Sequence, residues 1–108
     1  VLVAHGSKQP GRSAACAQLV AQALQARYGR IEAGFLEEAP FAADVIARTE
    51  PQWAAIGLFF GEGMHGGEDF DVLVSTAKHR PTAAFTVGEL PGLPGLIAAE
   101  ARERLGLT

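Results

Sequence analysis

One stretch decides the fold of this chain: Ile56-Gly57-Leu58-Phe59-Phe60-Gly61-Glu62-Gly63-Met64-His65-Gly66-Gly67-Glu68-Asp69-Phe70. It begins as a short apolar run, which predicts a buried strand, and then breaks into glycines around one histidine. The acidic residues after the glycines are typical of a helix N-terminus, where the helix dipole favours negative charge. A strand, a glycine-rich turn and a helix start together predict an open α/β sheet that presents His65 at the carboxyl edge of a strand.

Composition narrows the class of protein. The chain has 108 residues, of which 48% are apolar and 19% charged, with a formal net charge of −3. These values predict one folded domain and argue against a nucleic-acid partner, which would require a basic patch. Every apolar run is shorter than the roughly 18 residues that cross a bilayer, so we expect a soluble protein without a membrane partner.

The single cysteine cannot form an internal disulfide, which favours a cytoplasmic location. The chain opens on Val1, inside an apparent strand and without an initiator Met. Residues 1–108 are therefore expected to form a single domain, either a trimmed protein or one domain of a longer chain.

Strand and helix patterns alternate four times. Strands are predicted at 1–5, 31–36, 53–60 and 82–87. The first helix is expected to be capped by Ser13 and to end at Gly29, and the second to carry Pro40 in its first turn. The predicted apolar stripes are Cys16, Leu19, Val20, Ala23, Leu24 and Tyr28 on the first helix and Phe70, Leu73, Val74 and Ala77 on the third. The fourth helix is predicted from Leu93, Leu96, Ile97, Ala101 and Leu105. This alternation predicts a four-stranded parallel sheet of order 2-1-3-4 with helices on both faces.

Strands 1 and 3 are neighbours in that order, and their outgoing loops diverge around the crevice where open α/β sheets bind ligands. His5 ends strand 1 and His65 follows strand 3, so both imidazoles are expected to face the crevice. Glu37 ends strand 2 and Glu89 follows strand 4. Two imidazoles with a carboxylate suit a divalent transition metal, and imidazole also transfers protons near neutral pH.

Each of these residues also has a purely structural interpretation. A histidine at a strand end often only caps it, and Glu37 and Glu38 can be solvated strand ends. Lys8 and Arg12 can belong to an ordinary turn, although the helix N-terminus after them could hold a carboxylate. Met64 is equally compatible with loop packing.

Three motifs follow one another along the chain: Val1-Leu2-Val3-Ala4-His5-Gly6-Ser7-Lys8, then Gly34-Phe35-Leu36-Glu37 with Pro40 close behind, then Leu58-Phe59-Phe60-Gly61-Glu62-Gly63-Met64-His65 with Glu68-Asp69 after it. Together they resemble the sirohydrochlorin cobaltochelatase (CbiX-type) family. Gly88-Glu89-Leu90-Pro91-Gly92-Leu93-Pro94 looks like the last loop of that family. The resemblance therefore extends over nearly the whole chain.

The resemblance implies the chelatase fold and an enzyme that inserts Co²⁺ into a sirohydrochlorin-type tetrapyrrole on the cobalamin route. Close relatives insert Fe²⁺ for sirohaem or Ni²⁺, and no organic cofactor is expected. By the same resemblance His5, His65 and Glu37 are the metal ligands and catalytic groups. The loops around them supply an expected substrate-binding set of Ser7, Lys8, Arg12, Gly61, Gly63, Met64 and Glu89. Because the family includes short domains that pair and long chains with two halves, a homodimer or pseudo-dimer is expected.

The chain also departs from the family pattern. Asp69-Phe70-Asp71 stands where the family usually has Asp-Ile-Pro, and Gly57 replaces a common proline. These changes alter loop shape rather than ligands, so they bear on which tetrapyrrole is bound.

Two other classes stay open: a metal- or tetrapyrrole-binding module without turnover, and an anion- or nucleotide-binding α/β domain. The glycine loop lacks the Gly-x-Gly-x-x-Gly and Walker A spacings, which counts against the second class. A hydrolase is disfavoured because the chain has no Gly-x-Ser-x-Gly elbow.

Overall fold

The computed structural model describes residues 1–7, 14–60 and 65–106, except for the side chains of residues 65–67. The elements in these ranges are β1 (Leu2–Ala4), α1 (Ala14–Tyr28), β2 (Ala33–Phe35), α2 (Ala42–Ala47), β3 (Ala54–Gly57), α3 (His65–Ser75), β4 (Ala83–Thr86), a 3-10 turn (Val87–Glu89) and α4 (Leu93–Arg104). The predicted alternation is confirmed, although each strand is shorter than its apolar run. In this part of the chain no helix is both long enough and apolar enough to span a membrane.

The four strands form one parallel sheet of order β2-β1-β3-β4, as predicted. β1 lies at its centre: Val3 is in register with Gly34 of β2 on one side and Gly57 of β3 on the other. The N–H of Leu58 extends the β1–β3 pairing by donating to the carbonyl oxygen of Val3 at 2.8 Å. Because all strands run the same way, the loops after them leave from one edge of the sheet.

Helices α2 and α3 cover one face. The buried cluster on this face consists of Val3, Ala42, Ile46, Trp53, Ala55, Phe59 and Phe70, with Leu73, Val74 and Ala77 packed against it. The predicted stripe of α3 is therefore confirmed. The rings of Phe59 and Phe70 lie 6.1 Å apart, which fixes α3 to the end of β3. At the other end of this unit the indole N–H of Trp53 donates to the carbonyl of His79 at 2.8 Å.

Helix α1 packs on β1 and β2 from the opposite face with only part of the predicted stripe. Val20 packs against the buried cluster of this face, but Cys16 is exposed, and Leu19 and Tyr28 are 67% and 70% exposed. The residues that α1 buries fully are Ala17 and Ala21, one turn apart. Small side chains let the helix lie close to the sheet, whereas the prediction followed the larger apolar residues.

The start of α2 also differs from the prediction. Pro40 precedes the helix, with Phe41 as N-cap and Ala42 as first residue. The carbonyl of Pro40 accepts the N–H of Phe35 at 2.9 Å. Residues 40 and 41 therefore pair with β2, and the helix begins only after them. Ser13, the predicted cap of α1, lies outside the described residues.

The predicted closing helix is present as α4, but none of its residues is buried. Leu96 and Ile97 are 68% and 56% exposed, and Leu105, which caps the helix, is 71% exposed. Helix α4 has no substantial packing against any other described element. The apolar residues of α4 share one side of the helix with the ion pair of Glu100 and Arg104, so their spacing does not define a purely apolar face.

Two nearby phenylalanines allow a matched test of the core. Phe70 is 3% exposed and Phe60 is 74% exposed. We expect Phe70→Ala to lower the free energy of unfolding by about 3–5 kcal/mol, because it leaves a cavity between α3 and β3. Phe60→Ala should change it by less than about 0.5 kcal/mol. Urea denaturation measures both, and Phe70→Leu supplies a milder variant if the alanine form does not fold. Equal losses for the two alanine variants would contradict this packing.

Candidate metal and ring site at the carboxyl edge of the sheet

The structure brings His5 and Glu37 together through their backbones. The N–H of Glu37 donates to the carbonyl of His5 at 2.9 Å, just beyond the last paired residues, Ala4 of β1 and Phe35 of β2. Both side chains are exposed at this edge. The parallel pairing thus brings the backbones of these two residues together at the carboxyl edge of β1 and β2.

The ring of His5 also has an internal contact: its Nδ1 lies 3.1 Å from the carbonyl oxygen of Gly6. A carbonyl only accepts hydrogen bonds, so this contact requires a proton on Nδ1. When the ring is neutral, Nε2 then keeps its lone pair for a metal ion or a proton.

The loop after His5 is held over β2 by Glu38. Its Oε1 accepts the backbone N–H of Ser7 at 3.1 Å. Gly6 has φ +75°, and a Cβ there would lie 2.9 Å from Cβ of Phe35 and 3.0 Å from Cγ of Glu38. Only glycine suits both this backbone conformation and this space. The sequence analysis treated Glu38 as a solvated residue at the end of a strand and missed this role. Nothing in the sequence shows which of the adjacent residues Glu37 and Glu38 contacts the loop after His5.

The loops after β3 and β4 also contact each other through their backbones. The N–H of Gly88 donates to the carbonyl of Phe59 at 3.0 Å, and a Cβ on Gly88 would lie 2.1 Å from the carbonyl oxygen of Phe60. No larger residue fits at position 88 without moving one of the two loops. This contact fixes the backbone of Phe60 while its side chain remains 74% exposed. Phe60 is therefore an outward-facing aromatic directly before the glycine loop, and sequence reasoning had assigned it only to the strand.

Glu89 is engaged within its own turn. Its Oε2 accepts the N–H of Thr86 at 2.6 Å and lies 3.3 Å from the Thr86 hydroxyl. This is a capping box for the 3-10 turn that follows β4. The structural function of this carboxylate is clear, and its role in binding substrate stays a prediction.

Residue His65 is the first residue of α3, which follows β3, the direct neighbour of β1. One helical turn later, Asp69 shares with Glu37 a groove of about 320 Å³ between α2 and α3. The groove is lined by Phe35, Leu36, Glu37, Phe41, Ala42, Ala43, Asp69, Val72 and Leu73. The sequence predicts Asp69 only as an acidic residue in the first turn of a helix. Sequence spacing could not show that it shares a groove with Glu37.

Among the side chains that the structure describes, no three His, Cys, Asp or Glu residues form a ready metal site; the side chain of His65 is not among them. Lys8, Arg12, Gly61, Gly63 and Met64 lie outside the described residues, so their predicted roles stay predictions. The described edge combines an imidazole, two carboxylates on one groove and an exposed aromatic ring. These groups can hold a divalent cation, accept protons and contact a flat apolar ligand.

Comparisons with known proteins agree with this fold. The profile of the CbiX family matches residues 1–106. A solved structure, described as CbiX, the terminal enzyme for biosynthesis of siroheme in denitrifying bacteria, superposes with a TM-score of 0.83 at 27% identity. The alignment covers 94% of this chain and 45% of that chain, so the present chain spans less than half the length of that protein. A search of curated proteins finds no match.

The contact between Glu38 and Ser7 can be tested directly. Glu38→Ala removes the acceptor of the Ser7 N–H, at a cost of about 1 kcal/mol, so exchange of this amide hydrogen should become roughly fivefold faster. Hydrogen exchange followed by NMR measures this. Glu37→Ala is the matched control, since its carboxylate is exposed and its backbone bond to His5 is retained. The same acceleration in both variants would contradict the assigned contact.

Proposed function

Because the chain belongs to the CbiX family, we propose that it inserts a divalent metal ion into a sirohydrochlorin-type tetrapyrrole. One structural observation supports this assignment. The backbone hydrogen bond between His5 and Glu37 holds an exposed imidazole and an exposed carboxylate at one edge of the sheet, and His65 follows β3 at the same edge. The proposed metal is Co²⁺, for cobalamin biosynthesis. Fe²⁺ is the alternative favoured by the siroheme pathway of the solved relative, and imidazole and carboxylate ligands discriminate poorly between them.

The reaction requires three events. Water leaves the metal ion, two pyrrole N–H bonds break, and the metal ion binds to the four ring nitrogens. We assign His5 and His65 to hold the metal ion over one face of the ring. A metal-bound nitrogen has no lone pair left for a proton, so one imidazole releases the ion into the ring before it accepts the first pyrrole proton. Glu37, beside His5, takes or relays the second proton toward solvent.

The loops supply contacts for the ring itself. Phe60 offers an exposed aromatic surface for stacking at this edge. The glycine loop, with Gly61 and Gly63, would let the ring approach the backbone closely, and Met64 is assigned to substrate binding with it. Lys8 and Arg12 are assigned to the peripheral carboxylates of the ring.

Three residues complete the site in this proposal. Ser7 forms its near wall, held by Glu38. Glu89 contacts substrate from the turn after β4. Asp69 joins Glu37 in drawing the cation into the shared groove, because two carboxylates attract a divalent ion before its water is removed.

Residues 1–108 act in this proposal as one chelatase domain in the cytoplasm. A flat tetrapyrrole offers two faces, and the site described here contacts one of them. We therefore propose that the domain pairs with a second chelatase domain, as a homodimer or a pseudo-dimer.

A second function is a tetrapyrrole- or metal-binding domain without turnover. The observation that favours it is length, since the solved CbiX chain holds more than twice the matched segment and the catalytic part could lie in its remainder. The two functions differ in one measurement: an active domain accelerates metal insertion above the spontaneous rate, and a binding module does not.

His65→Ala tests the catalytic assignment. We expect the insertion rate to fall by about 10²–10⁴-fold, toward the spontaneous rate, because a group that holds the metal ion and accepts a proton is lost. Insertion of Co²⁺ and, separately, of Fe²⁺ into sirohydrochlorin is followed by absorbance, with circular dichroism to confirm the fold. His79→Ala is the matched control, since only the backbone carbonyl of His79 contacts Trp53. Unchanged turnover in the His65 variant would reject the role.

Phe60→Ala tests the ring contact. Loss of one stacking partner should raise KM for the tetrapyrrole up to about tenfold and change kcat less. Binding of the metal-free ring, measured by its fluorescence, should weaken equally, and Phe60→Trp should restore it. Leu19→Ala removes an equally exposed apolar side chain on α1 and serves as control. A fall in kcat with unchanged ring binding would exclude Phe60 as a ring contact.

A further inference from the structure

One peptide unit connects the side chain of Glu38 to the ring of His5. Nδ1 of His5 lies 3.1 Å from the carbonyl oxygen of Gly6, and the N–H of Ser7 donates to Oε1 of Glu38 at 3.1 Å. That carbonyl and that N–H are the two ends of a single planar trans peptide unit, so they point in opposite directions and move together. The imidazole, the peptide unit and the carboxylate therefore form one hydrogen-bonded series.

The backbone around this peptide unit keeps the series in place. The carbonyl of His5 accepts the N–H of Glu37 at 2.9 Å, which anchors its near end on the residue just before Glu38. The backbone then turns at Gly6, with φ +75°, and a Cβ there would lie 3.3 Å from Oε1 of Glu38. The turn therefore leaves room for the carboxylate directly beside the peptide unit that it holds. Glu38 is half-buried in this position.

The series determines which nitrogen of His5 is open to a ligand. The carbonyl of Gly6 only accepts hydrogen bonds, so Nδ1 carries a proton and the lone pair of a neutral ring lies on Nε2. A histidine that binds a metal ion through one nitrogen usually donates its other N–H to a carboxylate or a carbonyl, which fixes the ring and makes the ligating nitrogen more basic. Here a carbonyl accepts that N–H, and a carboxylate binds the other end of the same peptide unit.

The negative charge of Glu38 strengthens the contact with His5. A hydrogen bond to an ionised acceptor is stronger than one between neutral groups, and hydrogen bonds in a chain polarise one another. The carboxylate polarises the Ser7 N–H, and the carbonyl oxygen of Gly6 becomes a better acceptor for the ring N–H. Glu37, the neighbouring carboxylate, is exposed and lines the groove between α2 and α3. The two adjacent acids thus have different surroundings and can have different functions.

We propose that Glu38 is a positioning residue for metal binding: through the peptide unit of Gly6 and Ser7 it orients the ring of His5 and keeps Nε2 available for the metal ion. Glu38 contacts neither the metal ion nor the tetrapyrrole in this proposal. The proposal rests on the assignment of His5 as a metal ligand under Proposed function, but it does not rest on turnover. Sequence spacing could not reveal this role, because the carboxylate acts through a peptide unit rather than on the ring.

The proton on the His5 ring can be located by NMR. The ¹⁵N shifts of both ring nitrogens are measured in the metal-free chain, at a pH where the ring is neutral, and we expect the proton on Nδ1 in the wild-type chain. In Glu38→Ala it should redistribute toward Nε2, because the carbonyl of Gly6 is no longer held, whereas Glu38→Gln keeps an acceptor oxygen and the wild-type tautomer. Glu38→Met, which keeps the length of the side chain without an oxygen, serves if the alanine variant does not fold. The same tautomer in the wild-type chain and in Glu38→Ala would overturn the proposal.

Affinity for Co²⁺ alone gives a second measurement. Absorbance titration of the metal-free chain should show binding weakened about tenfold in Glu38→Ala and less in Glu38→Gln. In a His5→Ala background Glu38→Ala should have no further effect, since it acts through that ring. Asp44→Asn is the matched control, because it removes an exposed carboxylate in the first turn of α2, at the same edge of the sheet. Equal losses in Glu38→Ala, Glu38→Gln and Asp44→Asn would show an effect of net charge alone and overturn the proposal.

The metal-insertion assay is read separately from these two measurements. An altered tautomer and weaker Co²⁺ binding in Glu38→Ala, with a wild-type chain that does not insert metal, would leave the positioning role standing and remove the chelatase assignment. Metal insertion by the wild-type chain, with the tautomer and the Co²⁺ affinity unchanged in Glu38→Ala, would do the reverse.

Discussion

The candidate site depends on the parallel pairing of β1 with both of its neighbours. That pairing brings the carboxyl ends of β1, β2 and β3 to one edge, and it continues past β1 and β2 when Glu37 donates its backbone N–H to His5. Two residues separated by more than thirty positions in sequence are thereby placed side by side without any contact between their side chains. The side chains stay exposed, and exposed ligands can exchange partners during a reaction.

Backbone contacts between loops then restrict the edge. Gly6 approaches Phe35 and Glu38 so closely that a side chain would clash, and Gly88 approaches the carbonyl of Phe60 in the same way. Each contact ties the loop after one strand to the loop or end of the adjacent strand, so the loops move together rather than separately. A site that must receive a rigid flat molecule benefits from such preorganisation, because less ordering is left to the binding step.

Much of this arrangement followed from the sequence alone, and the exceptions share a cause. Strand order, the α3 stripe and the position of His5 and Glu37 at one edge of the sheet can be read from the sequence, because they depend on hydrophobic periodicity and on the common direction of parallel strands. The buried side of α1 did not follow from the sequence alone. It depends on how closely the helix approaches the sheet, and a close approach favours the small side chains of Ala17 and Ala21. Glu38, Asp69 and Phe60 acquire their surroundings from residues distant in sequence. The exposure of α4 depends on how the helix is placed relative to the rest of the protein, and the local sequence pattern does not determine that placement.

The hydrogen bond from Trp53 to the carbonyl of His79 has a consequence for motion. This bond connects the start of β3 to the turn that follows α3, at the end of the sheet opposite its carboxyl edge. The apolar contacts of α3 run from Phe70 to its C-terminal end, whereas Glu68 and Asp69, in its first turns, are solvent-exposed. Loss of this bond would loosen the far end of α3, while the contact between Phe70 and Phe59 would still hold the end that carries residue 65.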